Sequence, residues 1–228
     1  PISDPPYHLS NDGLSIKSGK AVSVNKGNWD KSNGLEADYS FHNKWLTEVK
    51  RILKPDATMM VSGTYHSIYR CGFAIELLDF RILNEIVWYK PNAAPNLTGR
   101  NFAASHETII WASKSKSSKH LYNYQEMKDL SVPRDFIKNP GKQMRDVWAI
   151  STTPKAEKTF GGHPTQKPLA LLNRIVLAAT KPGDLVVDPF SGSGTTGVAA
   201  LSNGRNFLGL EIDPDFVKLS EQRLQALR

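Results

Sequence analysis

Of reactive sulfur this chain of 228 residues has one thiol, Cys71. A single cysteine excludes an internal disulfide and a thiolate zinc cluster, and it suits a reducing cytoplasm, where the protein is expected. Cys71 itself sits in YRCGFAIELL, an amphipathic helical pattern, so an inert packed thiol is expected. Long apolar runs are missing too. Nothing approaches the ~18 residues a membrane span requires, which predicts a soluble protein with no membrane partner. The histidines, 6 in all, are not spaced with carboxylates or with one another as ligands would be, and no metal is expected. No internal repeat or low-complexity tract is visible. Acidic residues fall short of basic ones, 22 Asp+Glu against 29 Lys+Arg, for a net charge of +7 and a pI near 9.4. That balance favours an anionic partner, because lysine and arginine neutralise phosphates and release their counterions.

What is present suffices for one large α/β domain, 1–228, with a full core. Helical spacing of Phe41, Trp45, Val49, Ile52 and Leu53, closed by Lys54 and Pro55, predicts a surface helix over 37–53. An apolar strand at 58–63, a helix at 67–78 and strands at 82–89 and 108–112 follow, the last two joined by the loop KPNAAPNLTGRNF. Alternation resumes with a helix at 168–180, a buried strand at 185–189, a helix at 195–202, a strand at 207–212 and a helix at 214–227. Strands alternating with helices imply a doubly wound, mostly parallel, Rossmann-like sheet. Two stretches break the pattern. Residues 8–33, rich in glycine, serine and asparagine, read as a long functional loop. Residues 114–162, opening on KSKSSK, are basic and aromatic without a clean period and are expected as an insertion on the outside of the sheet. Only three residues precede the string DPPY, which should hang from a strand of about five or six; the numbering is expected to begin partway into a longer protein.

Two strings carry chemistry. The first, DLVVDPFSGSGTTG at 184–197, reads as strand, glycine turn and helix. Gly192 and Gly194 let the backbone turn sharply and approach a ligand, while the helix from Thr195 presents unpaired amides and a positive dipole end to an anionic group. Glu211 closes the next strand about twenty positions on, where two acceptor oxygens suit a ribose diol. No GK[ST] follows the glycines, which argues against a P-loop NTPase. NAD, FAD and S-adenosylmethionine all fit such a site, and spacing does not decide among them.

The second string decides. DPPY offers a carboxylate (Asp4), a constrained turn (Pro5, Pro6) and an aromatic face (Tyr7). An exocyclic amine on a nucleobase is a poor nucleophile because its lone pair is delocalised into the ring. Acceptors aimed at its two protons favour the pyramidal geometry that attacks a methyl sulfonium. Asp4 supplies one acceptor and the Pro5 carbonyl the other, its direction fixed by the consecutive prolines. Tyr7 would stack on a base flipped from its duplex, returning roughly 1–3 kcal/mol of the few that flipping costs.

With these residues the chain resembles the amino DNA methyltransferases, in the beta arrangement where DPPY precedes the glycine motif. It is most similar to the adenine-N6 enzymes, since cytosine-N4 members more often carry Ser before the two prolines. The resemblance spans almost the whole chain and includes HPTQKP at 163–168. The strings DPPYHLSNDG, GNWDK, PNAAPNL, LYNYQEMK and GKQMRDVW are similar to methylases of GATC restriction-modification systems. The resemblance implies an S-adenosylmethionine-dependent methyltransferase fold, with 114–162 as an inserted target-recognition region, and methyl transfer to adenine N6 in DNA. Cytosine N4 is the alternative, because both amines present similar geometry to Asp4. It implies that Phe190, Ser191, Gly192, Ser193 and Gly194 wrap the methionine part of the cofactor and Glu211 its ribose. His163, Thr165, Gln166 and Lys167, with Asp188, Thr195, Thr196 and Ile212, would complete that pocket. The family also carries, ahead of DPPY, a segment with an acidic residue against the cofactor adenine, which is not part of this sequence.

DNA, double- or single-stranded, is the expected partner, with a cognate restriction endonuclease and a homodimer as further expectations. Lys114, Lys116, Lys119, Arg134, Lys138, Lys142 and Arg145, interleaved with Tyr122, Tyr124 and Phe136, are candidates for DNA contact. Arg100 and Asn101 join them, Trp29 and Asp30 are candidates for a gate over the flipped base, and His8 for a contact to it. Readings of other classes are an RNA methylase and a binding module that no longer turns over.

Overall fold

The computed structural model describes residues 1–10, 14–17, 20–23, 26, 27, 30–96, 99–130, 132, 135 and 141–227. Its main sheet has the order β1 (Ile2–Ser3), β4 (Thr58–Gly63), β6 (His106–Ser113), β5 (Arg81–Tyr89), β7 (Val147–Ala149). Only β6 runs against its neighbours; β1 pairs with β4, and β5 with β7, in parallel. A second parallel pair, β8 (Leu185–Asp188) with β9 (Asn206–Gly209), lies against the free side of β1. The first strand of the fold and β8, near the far end of the chain, are therefore neighbours in space, so the loops that follow them meet.

Period-2 alternation makes the sheet doubly wound, because successive side chains leave a strand on opposite faces. Met59 and Val61 of β4, with Ile110 and Ala112 of β6, pack under α1 (Leu35–Ile52) and α2 (Ile68–Leu77). Met60, Ile109 and Trp111 turn the other way and meet α4 (Leu169–Ala179) and Ala199 of α5 (Thr195–Ser202). The last helix, α6 (Pro214–Gln225), packs on α5; Asp213 caps it by accepting the Asp215 amide at 2.9 Å, and Pro214 fills a first-turn position where no amide partner is needed. Cys71 is buried in the first core and burial pushes its thiol up to about 12, as an inert residue should be.

Several elements depart from expectation. The buried stripe of α1 is rotated: Leu46 is wholly buried while Ile52 is half exposed, because the helix packs on α2 and β4 through Leu46 and Val49 and turns Phe41 and Trp45 toward the loop after β8. A hairpin of β2 (Leu14–Lys17) and β3 (Lys20–Ser23) interrupts the long loop. Residues 147–149, expected outside the sheet, are a strand of it, and Trp148 and Ile150 join its core. Asp135 ties the same segment to α4, accepting the Ala149 amide at 2.9 Å and Arg174 at 2.7 Å. A short helix, α3 (Tyr124–Asp129), packs on α4 and buries Met127. Among the described residues no helix is long and apolar enough to cross a membrane.

Candidate active site

The carboxyl ends of β1, β4, β8 and β9 open on one cavity of about 340 Å³, where open α/β sheets offer ligand space. One wall is the turn after β8. Gly192 (φ 50) and Gly194 (φ 72) take left-handed backbone, and a side chain at Gly194 would run into Ser220 of α6. Side chains hold the turn from three directions. Asp188 accepts the Phe190 amide at 3.0 Å and the Thr196 hydroxyl at 2.6 Å. Arg223 of α6 donates to the Ser193 carbonyl at 2.6 Å and to Thr195 Oγ1 at 2.8 Å. Glu211, two residues past β9, takes the Gly192 amide on Oε2 at 2.7 Å, and the Ile212 and Asp213 amides on Oε1 at 2.9 Å. Oε1 is then filled, and Oε2 keeps one acceptor position for a hydroxyl. Burial pushes the Asp188 carboxyl up to about 7 against the pull of its Thr196 and Phe190 hydrogen bonds.

The rest of this wall is aromatic and partly unsatisfied. Phe190 meets Trp45 edge-on at 5.3 Å, His163 meets Phe216 at 4.2 Å, and Ile212 is 91 % exposed at the rim. Ser191 Oγ is buried with no hydrogen-bond partner among the described residues. Helix-end amides, an orphaned hydroxyl, an acid with an open acceptor position and a ring-lined rim fit a ligand bearing a carboxylate, a diol and a heteroaromatic ring.

The facing wall is a charged network around Asp4. Asp4 Oδ1 accepts the Tyr7 hydroxyl at 2.6 Å and the Ser62 hydroxyl at 2.7 Å, and Oδ2 accepts the Lys167 ammonium at 2.5 Å. The Tyr7 hydroxyl also lies 2.8 Å from Glu107 Oε2, and Lys90 donates to Glu107 Oε1 at 3.1 Å. Lys167 stands 3.5 Å from Glu107 and 4.9 Å from the centre of the Tyr7 ring. Burial alone would raise the Glu107 carboxyl and lower the Lys167 amine. Lys167 and Lys90 outweigh that effect and hold Glu107 below the usual glutamate range, and Asp4 with Glu107 holds Lys167 above the lysine range. Burial, with both carboxylates, holds the Tyr7 phenol well above the usual tyrosine range.

Backbone around DPPY is wound on a second carboxylate. Asp30, 1 % exposed, accepts the amides of Tyr7 (2.9 Å), His8 (2.8 Å) and Leu9 (3.1 Å) and the Ser10 hydroxyl (2.9 Å). His8 sits there with φ 59, unusual for a residue with a side chain, and packs edge-on to Phe41 and His42. Asp30 is thus an internal clamp rather than a gate, and His8, a candidate for contact to the base, is buried behind the cavity and is not part of its lining. Trp29 lies outside the described residues.

Asp4, Pro5, Pro6 and Tyr7 line the cavity together with His163, Thr165, Gln166, Lys167, Asp188, Phe190, Ser191, Gly192, Ser193, Thr195, Thr196, Glu211 and Ile212. Of the expected site residues only Gly194 stands behind that lining, as the cap of α5. Lys167, expected beside the cofactor, places its ammonium on Asp4. Sequence reading missed Glu107, Lys90, Ser62 and Arg223. A glutamate heading the apolar strand HETIIWAS was the available signal, since a carboxylate there needs a partner.

The basic stretch divides. Thr108 pairs with Gly63 at the site's edge and Ser113 with Thr58 at the other, so β6 carries the chain about 20 Å away before KSKSSK begins. There Lys114 binds the Leu53 carbonyl and the Lys119 amide binds Asp56 at 2.8 Å. Tyr122 packs on Trp111, and Asn123 on the carboxyl end of α4. Lys142 and Arg145 are exposed on the approach to β7 at the sheet margin; Arg134, Phe136 and Lys138 lie outside the described residues.

Residues 2–222 match the profile of the DNA methylase family N6_N4_Mtase. The chain is 50% identical over 226 residues to the Type II methyltransferase M2.DpnII of Streptococcus pneumoniae, covering 99% of this chain and 81% of that protein. To the Type II methyltransferase M2.MboI of Moraxella bovis it is 45% identical, covering 99% and 80%. Among solved structures it is similar to the M1.HpyAVI complex with S-adenosylmethionine, at a TM-score of 0.69 and 27% identity over 98% of this chain and 86% of that one. The cytosine-N4-specific PvuII methyltransferase shares its fold at a TM-score of 0.70 and 21% identity, over 97% and 78%.

Proposed function

Because the chain belongs to the DNA methylase family, and is a DNA methyltransferase that uses S-adenosylmethionine, we propose that it methylates the exocyclic N6 amine of adenine at a specific site. One observation carries the reading: Asp4, opening the chain, and the glycine turn near its far end line the same cavity. S-adenosylmethionine supplies an electrophilic methyl on a positive sulfur. The glycine-turn wall supplies its binding groups: the amides of Ser193, Thr195 and Thr196 and the Ser191 hydroxyl for the methionine end, the remaining Glu211 position for the ribose, and His163, Ile212 and Phe216 for the ring.

On the facing wall Asp4 Oδ1 is filled by two hydroxyls, and Oδ2 holds Lys167 and one open acceptor position. That position receives one proton of the target amine. The Pro5 carbonyl, to which nothing among the described residues donates, receives the other, and the Tyr7 ring, part of the lining, meets the base.

DNA would approach the edge of the sheet that bears the cavity. Arg100 and Asn101 are exposed there, and Phe102 is wholly exposed, on a loop whose neck closes through the Lys90 amide and Ser105 carbonyl at 2.8 Å. The segment after β7, 150–162, is tied to the loop after β5 by the Asn92–Thr152 hydrogen bonds at 3.0 Å, which supports reading it as the part of the target-recognition region that would meet a site such as GATC. A restriction endonuclease partner, a homodimer and a cytoplasmic location belong to the same proposal.

The test is transfer of labelled methyl from S-adenosylmethionine to unmethylated DNA, followed by digestion and identification of the modified base. N6-methyladenine supports the reading and N4-methylcytosine replaces it with the sister chemistry. Label on RNA alone, or DNA binding without transfer, overturns it.

A further inference from the structure

The Tyr7 hydroxyl has one proton and two carboxylate oxygens within hydrogen-bonding distance, Asp4 Oδ1 at 2.6 Å and Glu107 Oε2 at 2.8 Å. Only one of them receives that proton at a time. Two ammonium groups flank the pair, Lys167 against both carboxylates and Lys90 against Glu107 alone. Asp4 is thus one of four clustered charges, two of each sign, whose side chains are between 10% and 22% exposed.

From this arrangement we infer that Glu107 is a positioning residue for methyl transfer, which takes over the Tyr7 hydrogen bond as Asp4 is neutralised. The inference rests on the methyl-transfer reading above. In the reaction the amine nitrogen forms the N–C bond, the C–S electron pair leaves with sulfur, and the proton shed by nitrogen passes to the open position on Asp4 Oδ2. A neutral acid accepts hydrogen bonds far less strongly than a carboxylate, since charge-assisted bonds are about twice as strong as neutral ones. The Tyr7 hydroxyl proton therefore turns to Glu107, which remains anionic beside Lys90 and Lys167. Nothing else has to move, because donor and second acceptor are already in contact. Without Glu107 the hydroxyl would lose its alternative partner as Asp4 became neutral, and Lys167 would be left with Asp4 as its one anion among the described residues.

The decisive variant is Glu107→Gln, which keeps the shape of the side chain in β6 and removes its charge; an unchanged melting temperature reports an intact fold. Single-turnover methylation of an unmethylated oligonucleotide should slow about 10- to 100-fold, with S-adenosylmethionine affinity and DNA KM within about threefold of the parent. In a Tyr7→Phe background the same substitution should change the rate less than about threefold, since the hydroxyl it works through is absent. A Glu107→Gln rate within threefold of the parent, or an equal loss with and without the Tyr7 hydroxyl, overturns the role of Glu107. Failure of the unsubstituted protein to methylate any DNA overturns instead the reading on which it rests.

Discussion

The two walls of the cavity are built in opposite ways. The cofactor wall is mostly backbone: a strand, a left-handed turn at Gly192 and Gly194 and the first amides of α5, with Asp188 and Glu211 spent largely on fixing the turn through the amides of Phe190 and Gly192. The catalytic wall is mostly charged side chains, drawn from after β1 (Asp4, Tyr7), the end of β5 (Lys90), the start of β6 (Glu107) and the entry to α4 (Lys167). A ligand that is bound and released is met by fixed dipoles that need no counter-charge. On the proposed reading, a reacting amine meets a balanced ionic cluster whose hydrogen bonds have somewhere to go when one charge is lost. The walls should therefore fail differently.

The sharpest break comes at Asp4. Asp4→Ala should lower the methyl-transfer rate about 1,000-fold, with S-adenosylmethionine affinity nearly unchanged by calorimetry; a substantial loss of affinity would merge the two walls into one functional unit. Glu211→Gln should do the reverse, weakening cofactor binding about tenfold through loss of a charged acceptor and leaving the rate at saturating cofactor close to the parent.

A smaller effect tests the cofactor wall without its ligand. Because the folded pKa of Asp188 is raised to about 7, its stabilising protonated form is fully present below the usual aspartate value and lost as pH rises through about 7. Asp188→Asn should hence melt a few degrees above the parent at pH 8, and the gap should narrow at pH 5. Smallest of all, alanine at Lys114, Lys116 and Lys119 together should change the KM for DNA by less than about twofold, because these residues sit at the edge of the sheet remote from both walls. A large rise in that constant would place DNA on the wrong face of this comparison.

How much was legible in the chain follows the same division. The α5 bounds and the strand before it were readable because the glycine turn and the short apolar run LVV are local signals, dictated by φ and burial at neighbouring positions. Glu211 was readable from spacing, though not its three backbone amides. Glu107 was legible only in part: a carboxylate at the start of an apolar strand signals that a partner exists, but not which, and its partners lie 100 positions away at Tyr7 and 17 away at Lys90. Asp30 misled for a related reason. A loop acid beside a catalytic motif looks like a gate until its four donors, all from 7–10, are seen to enclose it. For KSKSSK, composition reports charge but not which end of a strand that charge follows.

The chain alone determined the alternation of strands and helices and the glycine turn after β8, because these depend on side-chain period and on glycine within a few neighbouring residues. Tertiary structure alone decided that β1 lies beside β8, which lysine answers which carboxylate, and which edge of the sheet bears the cavity. Those are contacts between segments far apart in sequence, and the energy that selects them, burial of a charge only where its counter-charge is also buried, has no local signature.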